Sequence, residues 1–187
     1  MRRFAQSGLR VKSSQGRNFA FLRACVVYVL CVFFTIQVFA VEVYSSDITP
    51  SNETTPILLL GKPGEETSLS LADIESFGLF ETKEMQHYDG PEGRFAGIWL
   101  NDLLKKYGLF QVPRLRFSAL DGYEVFISKD VWQKNQYLMA TRLNGEPISP
   151  ENLGPLLLII PSEVGLSEDT TVSKTLWIWA ISEIIIQ

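Results

Sequence analysis

The chain has 187 residues, 46% of them hydrophobic, which is enough to build one domain with a sizeable core. Six of its 17 basic residues and none of its 21 acidic ones fall within the first forty, so residues 41–187 carry 11 bases against 21 acids, a net of −10. A surface of that sign repels nucleic acid and anionic lipid, and nucleic-acid binding is excluded as a working hypothesis.

Residues 1–40 have the layout of a secretory leader. Arg2, Arg3, Arg10, Lys12, Arg17 and Arg23 form a basic start, Ala24 to Ala40 is almost wholly apolar, and Val38 and Ala40 place small residues at the −3 and −1 positions of a cleavage site. The alternative is an uncleaved anchor, since the apolar run approaches the ~20 residues that span a bilayer, and a membrane contact is expected only in that case. Cys25 and Cys31 both lie in this leader. The domain that follows has no cysteine for a disulfide, a thiolate metal site or a nucleophile.

Residues 41–55 are polar and aperiodic and read as a linker to a single domain at 56–187. Asn52-Glu53-Thr54 fits a glycosylation acceptor, a short pattern that is common by chance. Ile57 to Leu60 reads as a strand stopped by Gly61-Lys62-Pro63-Gly64. Ser70 is placed to cap a helix over Leu71 to Phe77, with Asp73 in its first turn. Leu79 to His87 reads as one strand, and Tyr88 to Gly93 as a loop. Trp99, Leu100, Leu103, Leu104 and Tyr107 fall at helical spacing and stop at Gly108.

Arg114 to Leu120 alternates, with Leu115, Phe117 and Ala119 on one face. Asp121-Gly122 turns it into a partner strand over Tyr123 to Ile127, and Ser128 is placed to cap a short helix carrying Trp132. Tyr137 to Leu143 is a strand ending at Asn144-Gly145, the strongest short turn signal because both residues tolerate positive φ. Pro147 and Pro150 hold the next loop extended. Gly154-Pro155 then launches Leu156 to Ile160, a run bounded by prolines that reads as a strand buried on both faces. After a polar loop, Val172 to Trp179 leads into a closing strand over Ile181 to Ile186.

These turns, in this order, resemble the oxidoreductase molybdopterin-binding domain of the sulfite oxidase family in its short, free-standing exported bacterial form. The resemblance is carried by Phe95, Gly97, Ile98 and Leu100, by Ala119, Asp121, Gly122 and Tyr123, by Leu138, Ala140, Arg142, Asn144, Gly145 and Pro147, and by Gly154, Pro155, Leu156 and Pro161. It implies an α+β fold: a mainly β core of mixed sheets with short peripheral helices. It implies molybdopterin as cofactor, with a cysteine thiolate on molybdenum and basic side chains on the pterin pyrophosphate. The chain departs from that pattern. It has no cysteine after residue 31, Leu157 stands where the family has an arginine, and Asn152-Leu153 replaces a histidine-glycine pair.

The candidate ligand- or cofactor-binding residues are therefore Arg142, Asp121, Tyr123, Lys174, Trp177, Trp179 and His87. Arg142 is expected either to contact an anion or to form a sheet-edge salt bridge with Asp121, Glu124 or Glu146. Asp121 reads first as a turn residue and Tyr123 as half-buried packing. Lys174 either contacts a phosphate or is solvated. His87, the only histidine, rules out a two-histidine metal site and reads as a surface residue. Trp177 and Trp179, at period two, would form a flat ligand platform if exposed beside Arg142, and core if not.

No catalytic residue and no metal ligand is assigned. The function expected is an exported, non-catalytic binding module for a small ligand or a periplasmic protein partner. The alternative is a molybdopterin-dependent oxidoreductase with a non-cysteine metal ligand, and a third reading is a structural subunit docking through an exposed last strand.

Overall fold

The computed structural model describes residues 41–87, 90–163 and 176–187, all within the compact unit Val38–Gln187. Thirteen short strands and three short α-helices occur among these residues. The first sheet contains β1 (Val43–Ser45), β4 (Phe80–Thr82), β7 (Phe95–Trp99), β10 (Leu138–Leu143) and β11 (Glu146–Pro147) in that order, with β12 (Leu157–Ile159) also on β10, every pairing antiparallel. The second has the order β3 (Glu65–Ser70), β2 (Pro56–Lys62), β13 (Ile181–Ile186), β8 (Arg114–Ala119) and β9 (Glu124–Ser128), and only its β2–β13 pairing is parallel. A small ribbon joins β5 (Met85–Gln86) to β6 (Glu92–Gly93). The helices are α1 (Leu71–Glu75), α2 (Leu100–Lys106) and α3 (Lys129–Lys134). This is the α+β architecture expected, with mixed sheets and short helices.

The hairpin between β10 and β11 turns at Asn144 and Gly145, with φ of 53° and 88°, the left-handed pair that such a turn requires. Leu156 to Ile160 is fully buried along its whole length, and β12 pairs with β10 through Ala140 and Leu157. One buried cluster draws on both sheets, including Leu58 and Leu60 of β2, Phe117 of β8, Phe95 and Ile98 of β7, Met139 of β10 and Ile184 of β13. Each such side chain contributes ~1.5–3 kcal/mol by leaving water. Gly97 lies where β7 crosses closest to β10: a Cβ there would collide with the Met139 carbonyl oxygen and sit 2.6 Å from Ala140 Cα.

Several expectations are corrected. The segment read as a linker contributes β1, which pairs with β4, and the Val41 N–H donates to the Pro161 carbonyl. Polar composition hid an edge strand whose partner supplies the hydrogen bonds. Leu79 to His87 is not one strand but β4 and β5, interrupted at Lys83 and Glu84. The helix after Ser70 ends at Glu75, two residues early, while its cap is as expected: Ser70 and Asp73 exchange hydrogen bonds as a capping box. Ser128 occupies the cap position of α3, but its hydroxyl makes no capping bond. The last strand is no edge: β13 lies between β2 and β8, so it offers no docking edge. Lys174 and the loop over 164–175 lie outside the described residues, as do Tyr88 and Asp89.

Candidate functional site

Arg142 lies in β10, opposite Ala96 of β7, and it is buried. The salt-bridge reading holds in kind, but the bridge is buried and its partner is not Asp121, Glu124 or Glu146: it is Glu75, at the end of α1. Nε donates to Glu75 Oε1 at 2.9 Å, Nη2 donates to Oε2 at 2.8 Å, and Nη1 donates to the Gly145 carbonyl at 3.1 Å. The same carboxylate accepts from Thr141 Oγ1 at 2.8 Å and from the Ser51 N–H at 2.6 Å. Glu75 is fully buried, so four donors replace its lost hydration. Hydrogen bonding to Glu75 first, then its charge, holds the guanidinium above its ordinary range, against the opposing effect of burial. The arginine is committed to tying the N-terminal segment, α1 and the first sheet together.

His87 corrects the surface reading more sharply. It is fully buried. Its ring lies 5.4 Å from that of Trp177 and 6.4 Å from those of Trp179 and Phe95, edge-on to both indoles at 74°. Its backbone is held by Pro91, whose carbonyl accepts the His87 N–H, and Gly90 donates back to the His87 carbonyl. A Cβ at Gly90 would come within 2.7 Å of His87 Nδ1, so Gly90 lies directly against the ring.

The tryptophans precede β13 rather than lying on a strand. The chain bends at Ala180, whose φ is 49°. Trp177 is buried and Trp179 half-buried, so the pair packs on His87 and forms no exposed platform.

Among the described residues the candidates are not gathered into one pocket. Phe95 pairs with Leu143 and Ala96 with Arg142, on adjacent rungs of β7 and β10, so His87, packed on Phe95, and Arg142 belong to opposite faces of the sheet. Asp121 and Tyr123 belong to the other sheet, at the β8–β9 turn. Asp121 Oδ1 accepts the Tyr123 N–H at 2.9 Å, which is turn chemistry, and Tyr123 is 40% exposed rather than half-buried.

Sequence reasoning missed Glu75 and Thr141. The available signal was an acid on the apolar stripe of α1, four residues after Leu71 and next to Ile74, all three buried.

The donor set does not fit molybdopterin held in the manner the resemblance implies. No cysteine follows Cys31, so the domain offers no thiolate. Leu157, at the family's arginine position, is fully buried among Leu156, Leu158 and Ile159. Arg142 is already neutralised by a carboxylate. Among the described residues no three His, Cys, Asp or Glu side chains gather closely enough to hold a metal ion.

No curated protein matches the chain. Among solved structures, the sulfane dehydrogenase SoxCD from Paracoccus pantotrophus matches with a TM-score of 0.51 at 12% identity, a likeness of fold. The match covers 82% of this chain and 49% of that one, so the chain spans about half the length of its structural relative. The family model described as the oxidoreductase molybdopterin binding domain matches residues 64–175, more than half of the sequence, and the chain belongs to that family.

Proposed function

We propose that the chain is an exported, non-catalytic member of its family that works as a binding module for a small ligand or a protein partner. The observation that carries this reading is the fate of the family's polar positions. Where chemistry would need a thiolate and free guanidinium groups, this chain has no cysteine, a fully buried Leu157, and an Arg142 closed by Glu75. His87 and Trp177 are likewise spent on packing. The scaffold is kept while the donors are replaced by interior side chains. Export rests on the leader at residues 1–40, with a periplasmic or secreted destination.

The test is the metal and pterin content of the chain purified from a molybdenum-replete native host, with cell fractionation alongside. The expected result is a well-folded protein without stoichiometric molybdenum, without pterin fluorescence after oxidation, and recovered outside the cytoplasm. Stoichiometric molybdenum with pterin would restore the oxidoreductase and overturn the reading.

A further inference from the structure

A cleft of about 260 Å³ opens between α2 and the segment entering β10, lined by Trp99, Asn101, Asp102, Lys105, Gln136 and Tyr137. It is smaller than the ~300–1,000 Å³ pockets of drug-sized ligands and suits a single ring. Asn101 and Lys105 are four residues apart on the helix, and Asp102 and Lys105 three apart, so all three side chains share one face. Asp102 accepts from Lys105 Nζ at 3.1 Å, with both side chains about half exposed, so this carboxylate and ammonium compensate each other at the rim. The cleft therefore presents polarity without an unbalanced charge.

Two amides complete it. Asn101 and Gln136 each bring an acceptor oxygen and two donor hydrogens. Asn101 Oδ1 is shielded from water and has no hydrogen-bond partner among the described residues. Trp99, half-buried, lines the cleft and packs against Phe80 with ring centroids 5.5 Å apart.

An aromatic wall, two amides and an internally compensated ion pair make the chemistry that recognises a ring with an apolar C–H face and a rim of neighbouring hydroxyls. The net of −10 on residues 41–187 disfavours phosphorylated or carboxylated versions of such a ring.

We infer that this cleft binds a neutral polyol or sugar ring, with Asn101 and Gln136 taking its hydroxyls and Trp99 its C–H face. The inference rests on the binding-module reading and names a ligand class for it.

The test is a titration of the purified, ¹⁵N-labelled chain with myo-inositol, D-glucose and N-acetylglucosamine, followed by amide shifts. At least one should give saturable shifts centred on Asn101, Asp102, Lys105 and Gln136. Asn101→Ala and Gln136→Ala should each weaken that binding by about tenfold, as expected for one lost hydrogen bond. Gln136 is exposed, so its variant keeps the fold even if Asn101→Ala does not. Cyclohexanol, with one hydroxyl, should bind far more weakly. Absence of saturation with all three ligands overturns the inference. So do shifts that map elsewhere, unchanged affinity in Gln136→Ala, or equal binding of cyclohexanol or inorganic phosphate. Failure here leaves the metal and pterin result standing, and molybdenum in the native protein would defeat the family-level reading whatever the titration gives.

Discussion

Glu75 and Arg142, 67 positions apart in the chain, form a two-point ion pair in the interior, with both carboxylate oxygens engaged by the guanidinium, at 2.9 and 2.8 Å. A buried pair of this kind adds little over an apolar replacement, because desolvating both ions offsets most of their attraction. Breaking it is another matter. Glu75→Gln or Arg142→Met leaves one charge buried without its counterion, and each should lower stability by about 3–5 kcal/mol. Glu75→Gln combined with Arg142→Met should cost clearly less than the sum of the singles. Denaturant unfolding of the four proteins completes the cycle, and strictly additive losses would show that the pair does not act as a unit.

Gly97 sets the spacing between β7 and β10. Its missing side chain lets the Met139 carbonyl lie against it, and the obstacle is backbone that cannot rotate away. Gly97→Ala should therefore separate the strands and cost about 1–3 kcal/mol or more, although the added group is a single methyl. Gly108→Ala is the control. A Cβ there meets nothing within 4 Å, and its φ of 70° carries the whole penalty, so its loss should be the smaller. Thermal unfolding of both variants decides the order.

The contrast between these positions shows what the sequence could reveal. Asn144-Gly145 and the run from Leu156 to Ile160 were legible because their signals are local: one needs positive φ, the other needs burial on both faces. Glu75 was illegible because an acid in a short helix is ordinarily solvated, and the donors that make its burial tolerable, Arg142 foremost, lie far along the chain. His87 was misread for the same reason. Its neighbours in sequence are polar, while its neighbours in space are Phe95, Trp177 and Trp179. The strand at Val43–Ser45 was missed because its partner strand, not its composition, supplies its hydrogen bonds.

The start of α1 gives a pH-dependent prediction. The Ser70 hydroxyl, then the Ser70 backbone N–H, hold the Asp73 carboxyl below its ordinary value of 3.8. A depressed carboxylate contributes stability that is present above its unfolded-state pKa and is lost as pH falls through the lowered folded-state value. At neutral pH, Ser70→Ala should cost ~1 kcal/mol, typical for a lost N-cap. That difference from the parent should shrink, without vanishing, as the pH drops below about 4, because protonation of Asp73 weakens its carboxylate's bond to the Ser70 hydroxyl and leaves the Asp73 N–H donation to Ser70 Oγ in place. Denaturant midpoints of both proteins across the acid range test this, and a difference that persists undiminished at low pH would place the effect in the backbone cap alone, not in the carboxylate's bond to the Ser70 hydroxyl.

Leu157→Arg tests whether the interior itself closes this chain to its family's cofactor. The substitution restores the side chain that the family carries at that position, but here the residue is fully buried and pairs with Ala140 inside the first sheet. A guanidinium there has lost its water and gains no countercharge from Leu158 and Ile159 beside it in β12. The expected outcome is a loss of about 3–5 kcal/mol, the scale of an uncompensated buried charge, with no pterin taken up on expression in a molybdenum-replete host. A variant that kept its stability and acquired pterin would mean that one side chain separates this protein from a working cofactor cradle. The binding-module reading would then fail on the residue that most strongly motivates it.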